Sequence, residues 1–223
     1  MLHTIQPSTF SAKKSQEKRL KERHRAKPME IVSCGLNITV LGGVYKTSAD
    51  TELMCKTVKI HRDQNFLEIG CGAGVISIFL GKSARSGIGC DINMLAVKNS
   101  RINAKRHNIK NIQFIQSNVF KNIREKFDVI ICNPPYNNFP AKDEIDMMFW
   151  DTDNEMKKYF FKEASKYLNS NGVIYFGWAD FSDIETDLPF RLAQENNFQV
   201  IDIKSKPSPH TTCTFHVLTI KRR

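Results

Sequence analysis

"FLEIGCGAGVISIF", residues 66–79, joins two apolar runs through three glycines. The first run is short enough for a buried strand, and "AGVISIFLGKSA" reads as a helix with apolar residues on most faces. Gly70, Gly72 and Gly74 then stand where strand becomes helix. Glycine there permits a tight turn and lets a ligand approach the main chain closely. The helix start beyond offers unpaired amide donors. A glycine turn can also serve packing alone, so its meaning rests on what the following strands carry.

Working outward, "SGIGCD" is a second strand ending at Asp91, seventeen residues after Gly74. "NMLAVKNSRINAKRHN" is a helix, "IQFIQS" a third strand leading to Asn118 and Val119, and "FDVIIC" a fourth ending at Asn133. "NEMKKYFFKEASKYLNS" is amphipathic through Met156, Tyr159, Phe160, Ala164 and Leu168. "GVIYFGW" is a fifth strand, a helix follows near 182–196, and "FQVIDIK" and "CTFHVLTIK" close the chain as a hairpin. Short buried strands alternating with helices predict a doubly wound α/β sheet of seven strands, mostly parallel, with an antiparallel C-terminal strand. Glycine, acid and amide thus sit on the carboxyl ends of three strands, the edge where open α/β sheets bind ligands. Asp91 can accept both hydroxyls of a ribose; its competing role is to cap the next helix. The spacing G-x-G-x-G departs from the G-x-G-x-x-G of nicotinamide sites, which disfavours an oxidoreductase.

"ICNPPYNNF", residues 131–139, ends the fourth strand in a stiff elbow. Two prolines cannot extend a ladder. The side-chain oxygen of Asn133 and the main-chain oxygen of Pro134 are two neutral acceptors, fixed by Pro135, and they suit a donor with two hydrogens. Tyr136 offers a flat face for a planar π-system. Holding both hydrogens of an amino or amide group favours a pyramidal nitrogen whose lone pair can attack an electrophile. The elbow fits alkylation of such a nitrogen, with contacts strongest as positive charge builds.

The 41% hydrophobic and 25% charged content is that of a soluble globular chain. No apolar run approaches the ~20 residues that span a bilayer. Six cysteines (34, 55, 71, 90, 132 and 213) include no C-x-x-C pair, so reduced thiols and a cytoplasmic location are expected, with no metal site. Net charge is +10, of which residues 1–28 hold +6. "SAKKSQEKRLKERHRAK" has one large apolar residue, Leu20, and reads as a solvated, largely disordered tail. The sharper alternative is an arm that engages phosphates of RNA, DNA or a ribosome. Residues 29–223 form the domain proper. Its lead-in segment 29–61 contains a hairpin in "EIVSCGLNITVLGGVY" and a helix in "DTELMCKTVKIH" with Asp50 or Thr51 as cap. Nothing fixes the oligomeric state; a monomer is the working expectation.

"LEIGCGAG", "GCDIN" and "NPPY", in that order, resemble class I S-adenosylmethionine-dependent methyltransferases, and within them the NPPY branch that modifies amide or amino nitrogens. "VYKTSADTELM" is similar to the V-Y-x-x-x-x-D-T segment of HemK-type glutamine methyltransferases, with Lys46, Thr47 and Ala49 departing from it. The resemblance implies S-adenosylmethionine as cofactor. Thr51, Glu68, Gly70, Cys71, Gly72, Gly74, Asp91, Ile92, Asn118, Val119 and Asn133 would line its site. Asn133, Pro134, Pro135 and Tyr136 would form the catalytic elbow. Asp91 would hold the ribose, Ile92 would pack on the adenine, and Asn118 would read its amino group. A glutamine in a translation factor is the first expected substrate, and an adenine or guanine amino group in RNA or DNA the second. A small molecule, or a non-catalytic RNA-binding module, follows behind them.

Overall fold

The strand carrying "NFLEI" is buried at all of its positions, as a central parallel strand covered on both faces must be. The computed structural model describes residues 4–223. Along the chain run α1 (Lys13–Arg25), β1 (Met29–Ser33), β2 (Leu36–Val40), α2 (Ala49–Thr57), β3 (Asn65–Ile69), α3 (Val75–Gly81), β4 (Ser86–Asp91), α4 (Met94–Arg106), β5 (Ile112–Gln116) and β6 (Phe127–Cys132). Then follow α5 (Glu155–Tyr167), β7 (Leu168–Ala179), α6 (Leu188–Glu195), β8 (Phe198–Pro207) and β9 (Thr214–Arg222). β1 and β2 pair as a separate antiparallel hairpin. The main sheet has the order β5-β4-β3-β6-β7-β9-β8. Its first five strands are parallel, and β9 alone runs against its neighbours.

Side chains alternate between the two faces of the sheet. Phe66, Val129 and Ile131 meet α2, α3 and α4 through Met54, Ile76, Ile78 and Val97. Leu67, Ile130 and Phe176 meet α5 and α6 through Phe160, Phe161 and Leu192. β3 and β6 lie side by side at the centre, while the chain leaves β3 outward toward β4. This reversal opens a crevice at their carboxyl ends, and the glycine turn and the proline elbow face each other across it.

Several boundaries differ from the sequence reading. α3 starts only at Val75, because Gly74 at φ 83° is its cap. α6 is confined to Leu188–Glu195, with a proline in its first turn, and β7 begins at Leu168, directly after α5. Ser48, not Asp50 or Thr51, is the cap residue of α2. Asn93 caps α4, its side chain accepting from the Leu95 amide at 2.9 Å. That frees Asp91 from the capping role.

The larger correction concerns the basic tail, of which residues 1–3 lie outside the described residues. Residues 4–28 are folded against the domain. Ile5, Ala12 and Leu20 are buried, and Phe10 packs edge-on against Phe181 with ring centres 5.6 Å apart. Ser8 donates its amide to Asp180 and Ser182 donates to Phe10 (2.6 and 2.9 Å). One inward leucine is worth about 1.5–3 kcal/mol, and along α1 itself the remaining contacts are polar. Gln16 accepts from the Trp150 indole at 3.0 Å, and the Gly43 amide donates to the Arg23 carbonyl at 2.9 Å. The buried Arg23 guanidinium donates to the Leu41 carbonyl. Arg19 stands 4.6 Å over the Phe149 ring. Counting apolar residues between 11 and 27 could not foresee this, since Ile5 and Phe10 lie upstream and the contacts of α1 are made by polar heads.

Candidate active site

A cavity of about 510 Å³ opens at the carboxyl edge of the sheet, within the usual size of small-molecule sites. The glycine turn supplies one wall. Gly70, Gly72 and Gly74 all have left-handed backbone, with φ of 75°, 54° and 83°. A Cβ on Gly70 would meet nothing within 4 Å, and one on Gly72 would meet only Tyr45 at 4.0 Å. Space stands beside this backbone, and a ligand can use it.

Asp91 also lines the cavity. Its two oxygens accept from the Gly72 amide at 3.0 Å and the Asn93 amide at 2.9 Å. Burial nonetheless pushes its pKa up to about 6, with the amide bonds opposing. Glu68 ends up under the turn, pushed up to about 8 by burial. One of its oxygens takes both the amide (2.8 Å) and the hydroxyl of Ser77, so it steadies the first turn of α3 while facing the cavity. Ile92, Asn118 and Val119 form the far rim. Val119 is a β-branched residue at φ 51°, a strained conformation of the kind that clusters at binding sites. Cys71 is buried, 3.4 Å from the Ser100 hydroxyl, and burial raises its thiol well above the usual range. It fills space.

The elbow lies opposite. Asn133, Pro134, Pro135 and Tyr136 all line the cavity. Asn133 donates its amide hydrogen to Asp50 at 2.9 Å and accepts from the Tyr136 hydroxyl at 2.8 Å. A carboxylate only accepts, so this pair fixes which end of the Asn133 amide is oxygen. Asp50 is itself buried and held by Ser48 at 2.7 Å, the Thr51 amide at 2.8 Å and the Tyr45 hydroxyl at 3.1 Å. Among the described residues the Pro134 carbonyl has no hydrogen-bond donor, while Lys157 donates to the Pro135 carbonyl at 2.9 Å. The expected open face at Tyr136 is mostly taken up. Its ring is 8% exposed and packs edge-on against Trp178 and Phe181. Aromatic surface reaches the cavity instead from Phe149, Trp150 and Tyr159.

The structure adds residues that the sequence reading missed or cast otherwise. Asp50 is a hub of the elbow, and its burial beside Thr51 had no local signal. Lys157 is 1% exposed and pairs with Asp151 at 2.8 Å. It sits at i, i+3, i+4, i+7 spacing with Phe160, Phe161 and Ala164, a lysine on the core stripe that was visible in the sequence. Gly177, a glycine inside a strand, was a second visible signal; a Cβ there would fall 2.2 Å from the Asn133 oxygen. Residues 141–156 form a lid whose Met147, Met148, Phe149 and Trp150 line the cavity, closed from outside by Gln16 and Arg19 of α1. His24 meets Asp146 at 3.2 Å across the same seam. With Asp143 they lie within 4.8 Å of one another.

Comparison with known proteins agrees with this geometry. The family model described as "Methyltransferase small domain" matches residues 36–202. A Methanocaldococcus jannaschii relative, provisionally named protein N5-glutamine methyltransferase, is 35% identical over 147 residues, covering 63% of this chain and 74% of the relative. The release factor glutamine methyltransferase of Fusobacterium nucleatum is 31% identical over 193 residues, 76% of this chain but 52% of its own length. Among solved structures, the 16S rRNA N2 G1207 methyltransferase of T. thermophilus, in complex with AdoMet and guanosine, superposes with a TM-score of 0.64 at 18% identity. That match covers 88% of this chain and 50% of the other.

Proposed function

The chain belongs to the methyltransferase small domain family, and from that premise we propose that it uses S-adenosylmethionine, the ligand of the superposed rRNA methyltransferase, to methylate a planar amide or amino nitrogen of a macromolecule. A glutamine side chain of a translation factor is the first reading, supported by likeness to the glutamine methyltransferases. When bound, the cofactor supplies an electrophilic methyl on a sulfonium. The cavity fits it: open backbone at Gly70 and Gly72, an acid at the second strand end and a strained rim at Val119. In this reading Asp91 accepts from the ribose and Asn118 and Ile92 take the adenine end. Thr51, Glu68 and Cys71 shape the remaining wall, and Gly74 lies behind it as the cap of α3, close against Ser100.

One observation carries the choice of nitrogen as acceptor: the Asn133 amide is locked by Asp50. A locked oxygen and the Pro134 carbonyl receive the two substrate hydrogens, and neither can take a proton outright. As nitrogen gains positive charge, Asp50 behind Asn133 polarises the amide and strengthens the contact. The proton on the alkylated nitrogen then leaves to water. Lys157 and Asp151 hold the elbow still, which keeps the reacting geometry.

Asn133→Ala tests this. Cofactor affinity should change little while the rate of methyl transfer at saturation falls ~10²–10³-fold. A variant near the wild-type rate would make the elbow structural. Labelled methyl transfer into fractionated extract, followed by protease or nuclease, separates glutamine from a nucleic-acid base. The base is the second reading, favoured by the cations on α1.

A further inference from the structure

α1 has two faces that do different things. Its inner face, Gln16, Leu20 and Arg23, is buried, and Gln16 and Arg19 line the cavity. Its outer face carries Lys14, Lys18, Lys21 and Arg25, all exposed. At about 100° per residue these four fall within an arc of roughly 60°, opposite the buried stripe. No acid lies inside that arc; Glu17 and Glu22 flank it. Among the described residues none of the four makes an ion pair. The ridge is ~16 Å long at 1.5 Å per residue, so it can face about four or five phosphates at the ~3.4 Å axial spacing of one strand. Lys121 stands exposed on another part of the cavity rim.

We propose that this ridge is a docking surface for the phosphate backbone of a nucleic-acid strand, laid beside the mouth of the cavity. The inference deepens the second reading above and rests on it only for what the strand delivers to the cavity. A membrane surface is disfavoured because the one large apolar side chain of α1 faces inward, leaving nothing to insert. A protein partner usually needs a buried aromatic or apolar anchor, and the ridge has none. A line of unpaired cations on a rigid helix is what phosphate contacts require. Because the inner face of the same helix is fixed to the lid, the strand is held in register with the cavity.

The test is binding, with no methyl transfer involved. Fluorescence anisotropy of the full chain with a 20-nucleotide single-stranded RNA, and with duplex DNA of the same sequence, is measured between 50 and 300 mM salt. The variant K14Q/K18Q/K21Q/R25Q should bind the preferred strand at least tenfold more weakly at low salt. Its log K against log[salt] line should be flatter by ~3–4, at ~0.7–0.9 for each of the four lost contacts. Glu22→Lys should strengthen binding and steepen the line. Preference for RNA or for DNA in the wild type names the source of the phosphates. Calorimetry with S-adenosylmethionine should be unchanged in both variants, so loss of the ridge and loss of the methyltransferase reading remain separable. Equal affinities and slopes for wild type and the quadruple variant would overturn the proposal. So would no binding to either nucleic acid, or equally tight, ridge-dependent binding of a poly-glutamate peptide, which would assign the face to an acidic protein.

Discussion

Gly177→Ala puts one methyl group where the structure has no room. The added Cβ would lie 2.2 Å from the Asn133 side-chain oxygen, 3.2 Å from its Cγ and 3.3 Å from its Cα. Carbon contacts are favourable near 3.5–4.0 Å, so the oxygen must retreat by about 1 Å. The backbone cannot follow far, because β6 and β7 are hydrogen-bonded neighbours up to Cys132 and Phe176. Relief therefore comes from turning the Asn133 side chain. That turn breaks the 2.9 Å bond to Asp50 and the 2.8 Å bond from Tyr136. Overpacking of this kind costs about 1–3 kcal/mol of stability, which a domain of this size can survive. Displacing a reacting group by 1 Å costs ~10² in rate. The expected result is a folded protein with a lowered urea midpoint, cofactor affinity within a few-fold of wild type by calorimetry, and methyl transfer reduced about a hundredfold. Full activity with an unchanged midpoint would show that Asn133 needs no fixed position, and the argument from its locked amide would fail.

Two further expectations concern buried charge. Burial raises Asp91 from 3.8 to about 6, so the folded chain holds this proton more tightly than the unfolded chain does. Its contribution to stability is full below pH ~4 and fades as pH rises through about 6. Cofactor affinity runs the other way: the ribose needs the ionised carboxylate, so affinity should fall by up to about tenfold per unit below pH 6. Calorimetry between pH 5 and 8 should show this slope, and Asp91→Asn should flatten it; a flat wild-type profile would remove Asp91 from the ribose. Lys157→Met leaves Asp151 buried without its partner. This should cost about 3–5 kcal/mol in urea unfolding, and a loss below ~1 kcal/mol would refute the pairing.

What could be read from the sequence was what repeats or stands alone in type. β3, β4 and β6 were legible because a strand buried on both faces is a short apolar run, and their carboxyl ends carry residues that packing does not need. Gly70, Gly72, Asp91 and the Asn-Pro-Pro-Tyr elbow are all of this kind, and the structure brings them around one cavity, with Gly74 set behind them as the cap of α3. Boundaries set by tertiary contact were not legible. β7 starts four residues before the apolar core of "GVIYFGW" because Leu168 pairs with Phe127 beyond a bulge. α1 was missed because its burial depends on Trp150, Phe149 and Asp146, more than a hundred residues away. Asp50 was read as a helix cap, the usual place for an acid before a helix. No local rule could tell that its oxygens were committed to Asn133.

The segment before α1 also has a history in time. Ser8 and Phe10 find their partners at Asp180 and Ser182, and the Thr9 hydroxyl meets that of Thr212, 203 residues later. On a ribosome these early residues emerge long before anything exists for them to pack against. Closing a loop of that length costs only logarithmically more than a short one, but it must wait for synthesis of the distant end. The sheet from β3 to β6 can be assembled while the start of the chain is still searching. Gln16 and Arg19 reach the cavity wall only once Trp150 and Phe149 are in place, so this side of the binding site is completed by residues made more than a hundred positions before their partners.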